Sequence, residues 1–147
     1  MTDTATESAR AGEFDVGATV PPFARSAGFL AWNRYAAVND EFVDIHMDDE
    51  AGRAAGYPGA FGMGNLTWAW MHCALEQWLG GRGRVEHLEC RFKAPALSGD
   101  EITITGTITG RTTTESDTVL ELELWAHNQT GTRTAPGAAR VRLFPTD

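Results

Sequence analysis

Cysteine is scarce in this sequence. Its 147 residues include only two, Cys73 and Cys90, and no Cys-x-x-Cys pair or cluster of His and Cys accompanies them. This excludes a disulfide-rich scaffold and a zinc site of the Cys-rich kind. One disulfide between the two stays an alternative. Two reduced, buried thiols in a cytoplasmic protein are the simpler interpretation.

Positive charge and long apolar runs are also missing. The chain has 12 Lys and Arg against 20 Asp and Glu, which gives a net charge of −8 and a pI near 4.9. Nucleic acids and acidic membrane surfaces attract basic proteins, so we expect neither as a partner. No apolar run reaches the roughly 18 residues that a transmembrane helix needs. Residues 1–13 are small and polar and lack the apolar core of a signal peptide, so we predict a disordered tail there and one domain over residues 14–147.

Helices are predicted in the first half of the chain. Apolar spacing predicts a short helix over residues 29–38, and acidic side chains favour a second short helix from Asp48 to a stop at Gly56. Between them, residues 40–46 are predicted to form a loop. The long helix candidate covers residues 64–79, is bounded by glycines and is apolar nearly all round, so we expect it to be buried. His72 on this helix is then a structural residue.

Strands dominate the second half. Residues 14–23 contain Pro21-Pro22, which suits an edge strand. After Gly83 the apolar period changes from 3.6 to 2, which predicts four further strands. Consecutive strands of this kind pair mainly as antiparallel neighbours. We therefore predict an α+β fold in which one antiparallel sheet curls around the long helix and turns its polar face to solvent.

Two stretches stand out as candidates for function. Residues 39–50 (NDEFVDIHMDDE) gather six carboxylates around the single histidine His46, and residues 59–68 (GAFGMGNLTW) lead into the long helix. Asp48 and its two acidic neighbours are most simply residues of a helix start. A metal site is disfavoured, because ligand sets usually hold more than one His or Cys beside carboxylates.

These residues resemble MaoC-like (R)-specific enoyl-CoA hydratases. The similarity lies in residues 35–51, which include the acidic stretch, and in residues 92–101 (FKAPALSGDE), which are similar to the family's Phe-x-x-Pro-x-x-x-Gly-Asp entry into a strand. It covers roughly residues 16–144. The resemblance implies a hotdog fold, in which a curved antiparallel sheet wraps around a long central helix. It also implies a homodimer or heterodimer with another hotdog subunit, an acyl-CoA or acyl-carrier-protein thioester as substrate, and no cofactor.

The family's catalytic motif places an Asp five residues before a His, with an aliphatic residue directly before the His. His46 fits this motif, and Ile45 is the aliphatic residue. The position five before His46 holds Glu41, whereas Asp40 lies six before it. Either acid is therefore a candidate partner for His46, Asp40 if the loop bulges by one residue. Asp44 takes a position where the family has proline.

The start of the central helix carries the second part of the resemblance. The family's His-Gly-Met corresponds to Phe61-Gly62-Met63, and Thr67 falls five after Gly62, where some members have a serine. Hydration of an enoyl thioester needs a base that activates water for attack at C3 and a proton for C2, which a carboxylate beside an imidazole can supply. The resemblance implies that the backbone N–H of Gly62 binds the thioester oxygen and that Thr67 orients a group near the site.

Three functions stay open at this stage. The first is a hydratase or dehydratase of an enoyl or 3-hydroxyacyl thioester. The second is a non-catalytic partner in a heteromeric hydratase; the small subunits of steroid side-chain hydratases are similar in carrying an acid two residues before the histidine, as Asp44 does here. The third is a dehydratase or cyclase of secondary metabolism that uses the same pocket. A hotdog thioesterase ranks lower, because no acidic residue lies near the first turn of the long helix and Glu76 lies near its end.

Overall fold

A computed structural model of the chain describes residues 12–145, which form four helices and five strands. In chain order these are β1 (Thr19–Ser26), α1 (Phe29–Asn39), α2 (Asp44–Met47), α3 (Asp49–Ala54), α4 (Gly64–Leu79), β2 (Gly83–Cys90), β3 (Glu101–Thr113), β4 (Thr118–His127) and β5 (Arg133–Leu143). None of the helices over these residues is long and apolar enough to cross a membrane.

All five strands form one antiparallel sheet in the order β1-β3-β4-β5-β2. The first strand is an edge strand, as predicted, although it begins at Thr19. Its pairing with β3 shifts register between Val20 and Phe23, where Pro21 and Pro22 lie. Proline has no N–H to give to a neighbouring strand, so an edge strand with a bulge is where a proline pair is tolerated.

The core lies between the sheet and α4. The apolar side chains that alternate along β3 and β4 are buried, and Met71, Leu75 and Leu79 of α4 are fully buried beneath them. The opposite face of the sheet is polar and carries ion pairs such as Arg140 with Glu121, at 2.7 Å. This division confirms the predicted sheet with one apolar face that packs on a long helix.

The predicted helices agree with the structure in most respects. α4 has the predicted bounds, and Asp48 caps α3 by accepting from two backbone N–H groups. Two expectations were wrong. Residues 44–47 form one helical turn inside the predicted loop, and α4 is amphipathic rather than buried all round. Trp68 is 44% exposed, and His72 lies on the same open face, 3.4 Å from Glu76.

The two cysteines are free thiols, so no disulfide joins them. Cys73 is exposed, in contrast to the buried position expected for it, and Cys90 is partly buried. The predicted tail falls outside the described residues over positions 1–11. Its last residue, Glu13, forms a two-fold contact with the guanidinium of Arg82, at 2.6 and 2.9 Å, and so belongs to the folded domain.

Candidate active site

His46 lies in the single turn of α2 and is only 8% exposed. Its Nδ1 atom is 2.7 Å from the carbonyl oxygen of Phe61. A carbonyl oxygen only accepts hydrogen bonds, so Nδ1 carries the hydrogen and donates it. In the neutral ring, Nε2 is then the nitrogen with the free lone pair. An edge-to-face contact with the Phe61 ring, at 5.2 Å between centroids, further orients the imidazole.

The Nε2 atom of His46 is not fully enclosed. It has no hydrogen-bond partner within residues 12–145. It is also not one of the fully buried side-chain atoms that lack a partner. In that part of the chain, only the indole nitrogens of Trp32 and Trp78 are fully buried without a partner. An imidazole with a fixed tautomer and with one nitrogen that has no protein partner has the form that a general base requires.

Three consecutive peptide groups hold the segment that binds His46. The N–H of Ala60 donates to Asp49 Oδ1 at 2.9 Å, and the N–H of Phe61 donates to the Ile45 carbonyl at 3.2 Å. The N–H of Gly62 donates to the Ala96 carbonyl at 2.8 Å. The segment is thus fastened to α2, to α3 and to the loop before β3.

The bond between Gly62 and Ala96 corrects one expectation. We expected the Gly62 N–H to bind the thioester oxygen, but this donor is already used within the domain. Glycine is needed here for a different reason. A Cβ on Gly62 would lie only 2.8 Å from Nε1 of Trp32, so a larger residue forces the indole or the backbone to shift.

The two candidate acids lie in different surroundings. Asp40 ends α1 in the left-handed conformation, with φ of 55°, and is exposed. Glu41 is half-buried and its N–H donates to the Ala36 carbonyl at 3.2 Å. Burial, and then the charge of Glu41, raise the pKa of the Tyr35 phenol above its usual value. In the described structure, neither acid forms a hydrogen bond with His46.

A cavity of about 240 Å³ is lined by Phe61, the residue whose carbonyl binds His46. Tyr57, Phe61 and Phe92 line it with aromatic rings, and Thr67 and Lys93 line it with polar groups. Thr67 is 8% exposed, and its hydroxyl has no hydrogen-bond partner among the residues that the structure describes. The cavity therefore holds an available hydroxyl group beside the segment that orients His46, and the role of Thr67 stays a prediction. Gly62 also lines it, although with its N–H occupied.

Family membership follows from the sequence as a whole. A profile described as "MaoC like domain" matches residues 31–125, which is well over half of the chain. The chain belongs to the MaoC-like domain family. A sequence search of curated proteins gives no match.

Solved structures agree with this MaoC-like domain in fold. The (R)-hydratase from A. caviae involved in PHA biosynthesis is 23% identical, with a TM-score of 0.77 over 89% of this chain and 97% of that chain. The R-hydratase PhaJ1 from Pseudomonas aeruginosa is 18% identical, with a TM-score of 0.81 over 92% and 85%. A chain of the ChsH1-ChsH2 complex from Mycobacterium tuberculosis is 17% identical, with a TM-score of 0.76 over 87% of this chain and 97% of that chain. The predicted hotdog fold is confirmed.

A second, largely apolar cavity of about 570 Å³ lies between α1 and α4 of the MaoC-like domain and is open to solvent, because Leu30 and Val38 at its edge are 68% and 85% exposed. The residues that line it include Leu30, Tyr35, Val38, Leu66 and Trp70. The sequence does not indicate this cavity. Its apolar spacing predicts one apolar face on α1 and gives no contacts for the other side chains of that helix. A cavity of this size is within the range of small-molecule sites.

Within residues 12–145, no three residues of the types His, Cys, Asp and Glu lie close enough together to hold a metal ion. The most important group that the sequence did not indicate is the carbonyl of Phe61. A backbone carbonyl has no residue type, so only the fold reveals that it orients His46.

Proposed function

We propose that this MaoC-like domain is a hydratase or dehydratase that acts on an enoyl or 3-hydroxyacyl thioester, carried by CoA or by a carrier protein. The observation that carries the proposal is the 2.7 Å contact between His46 Nδ1 and the Phe61 carbonyl. It gives a nearly buried imidazole one defined tautomer and leaves Nε2 free to accept a proton from water.

The proposed steps follow from that geometry. Nε2 of His46 takes a proton from water while the water oxygen bonds to C3, and the π electrons move through C2 to the thioester oxygen. The protonated His46 then returns that proton to C2 as the carbonyl re-forms, so that water is added across C2 and C3 and the imidazole is neutral again. Glu41 is our choice as the acidic partner, because it is half-buried whereas Asp40 is exposed. Catalytic hydrogen bonds often tighten only when substrate binds, so the missing bond to His46 in the free protein does not oppose this role.

Negative charge on the thioester oxygen needs a donor other than the Gly62 N–H. Thr67 is suited to this task, because it lines the cavity beside Phe61 and its hydroxyl has no hydrogen-bond partner among the described residues. A preorganised donor in a site that excludes water stabilises such a charge strongly. The acyl part of the substrate would occupy the apolar cavity between α1 and α4.

A second candidate is a partner subunit in a heteromeric hydratase. Glu41 in place of Asp sets the carboxylate one methylene farther from the backbone, and a misplacement of about 1 Å can cost about 100-fold in rate. The fold likeness to the ChsH1-ChsH2 complex is compatible with such a subunit.

In either case we expect a dimer in the cytoplasm. The edge strand β2 and the exposed Trp68 beside it offer a surface for a second hotdog subunit.

The test is turnover by the purified protein. We expect loss of the ultraviolet absorbance of the enoyl thioester when crotonyl-CoA or a longer enoyl-CoA is added. His46→Ala should lower kcat/KM by at least about 100-fold. His72→Ala, on the exposed face of α4, is the matched control and should leave the rate unchanged. Full activity in His46→Ala would refute the proposal, and turnover that appears only with an added second subunit would favour the partner role.

A further inference from the structure

Asp49 occupies a helix start but does not cap the helix. Asp48 fills that role, since its carboxylate accepts from the N–H groups of Glu50 and Ala51. The Asp49 carboxylate instead leaves its own helix and accepts from the N–H of Ala60, eleven residues away, at 2.9 Å. Three adjacent acids occupy positions 48–50. Within residues 12–145, Asp49 is the one of them whose side chain binds the segment that contains Ala60.

The bond from Asp49 lies one residue away from the group that orients His46. Ala60 is 2% exposed, so its N–H has little access to water. The next residue, Phe61, gives its N–H to Ile45 and accepts from His46 at its carbonyl. Three hydrogen bonds therefore join the helical turns at Ile45, His46 and Asp49 to two consecutive residues of the facing segment.

Two glycines make this close approach feasible. A Cβ on Gly59 would lie 2.7 Å from Oδ1 of Asp49. A Cβ on Gly52, one turn further along α3, would collide with the carbonyl oxygen of Gly59. Neither glycine has a positive φ, so both serve to make space and not to permit an unusual backbone conformation. The contact between α3 and residues 59–60 is therefore tight at the point where Asp49 binds.

We propose that Asp49 is a positioning residue for His46. By holding the Ala60 N–H, it fixes the position of the chain directly before Phe61, while the bond from Gly62 to Ala96 holds the peptide group that contains the Phe61 carbonyl. The Phe61 carbonyl then keeps the hydrogen on Nδ1 of His46 and the lone pair on Nε2. The effect on rate rests on the proposed function, in which His46 is the base, whereas the effect on the His46 tautomer does not.

The experiment measures the tautomer directly. Nitrogen-15 NMR of the protein labelled at histidine reports which imidazole nitrogen carries the hydrogen, with His46→Gln used to assign the signals. We expect one tautomer, hydrogen on Nδ1, in the unchanged protein. Asp49→Ala should convert this signal to a mixture of tautomers. Asp49→Asn should keep the single tautomer, because the side-chain oxygen of Asn still accepts from Ala60.

Enzyme kinetics provide a second readout. Asp49→Ala should lower kcat by up to about 100-fold with little change in KM, since the base is misoriented while the cavity is intact. Glu50→Ala removes a neighbouring, exposed acid and should alter neither the tautomer nor kcat. Gly59→Ala should reproduce the Asp49→Ala spectrum while the carboxylate is still present, because the added methyl group displaces it.

The outcomes separate this inference from the proposed function. A folded Asp49→Ala protein that keeps a single Nδ1–H tautomer would overturn the role of Asp49, whatever the activity. The role is also overturned if Asp49→Asn behaves like Asp49→Ala. If the protein hydrates no enoyl thioester but Asp49→Ala still mixes the tautomers, the positioning role stands and only the proposed reaction fails.

Discussion

The indole nitrogen of Trp32 faces the Cα of Gly62 so closely that a Cβ there would lie 2.8 Å from Nε1. Trp32 is fully buried, and its N–H has no partner within the described residues. The close contact between Gly62 and Trp32 therefore packs the segment around Phe61 against α1.

This contact predicts that Gly62→Ala destabilises the protein by about 1–3 kcal/mol, the usual cost of overpacking a core. Urea unfolding, followed by tryptophan fluorescence, measures the free energy of unfolding. Gly110→Ala in β3 is the control, because a Cβ there would stand at an ordinary distance of 3.5 Å from Glu121. Equal stability of the two variants would show that the indole yields to the new methyl group.

The sequence was sufficient for the parts of the molecule that repeat a period. The bounds of α4, the alternation of the strands and the α+β class follow from apolar spacing and from glycines, and the structure confirms them. The candidate site was harder to predict, because its decisive contacts involve backbone groups. The N–H of Gly62 was expected to face substrate and instead binds Ala96, and the Phe61 carbonyl was not expected at all.

Thr67 allows a test of the donor for the thioester oxygen. Thr67→Val keeps the shape of the side chain and removes only the hydroxyl, so kcat should fall by about 10²–10³-fold if this group stabilises the developing charge. Thr67→Ser keeps a hydroxyl and should retain most of the rate. Steady-state kinetics on an enoyl-CoA measure both. A Val variant as active as the Ser variant would exclude the hydroxyl from catalysis.

Tyr35 reports on the charge of Glu41. Burial raises the pKa of the Tyr35 phenol first, and the Glu41 carboxylate raises it further. Glu41→Gln should therefore lower this pKa, whereas Asp40→Asn, at an exposed neighbour, should change it less. Ultraviolet titration of tyrosinate, with Tyr35→Phe to separate Tyr57, gives the values. A pKa that does not move in Glu41→Gln would place the carboxylate away from the phenol.

The same shift has a consequence for stability. A pKa raised in the folded state means that the folded protein holds the phenol proton more strongly than the unfolded chain does. The resulting stability is fully present below the unfolded pKa of about 10 and is lost as pH rises through the folded pKa. Tyr35→Phe should thus flatten the alkaline loss of stability, as measured by unfolding at a series of pH values.

Arg82 ties the end of α4 to the start of the domain. Its guanidinium donates to the carbonyls of Trp78 and Leu79, both at 2.9 Å, and binds Glu13. Helix ends leave carbonyl groups without helical partners, and a cation there also favours the helix dipole. One side chain therefore satisfies the last turn of α4 and fastens the residues that precede β1.

We expect Arg82→Ala to lower the free energy of unfolding by about 1–3 kcal/mol, the range for hydrogen bonds that involve a charged group. Arg84→Ala is the matched control. Arg84 is more exposed and lies 3.3 Å from Glu86, so its loss should cost less than about 1 kcal/mol. Glu13→Gln should fall between the two, because it removes the ion pair and leaves the bonds to α4. If Arg82→Ala and Arg84→Ala are equally stable, the two helix carbonyls are satisfied as well by water as by the guanidinium.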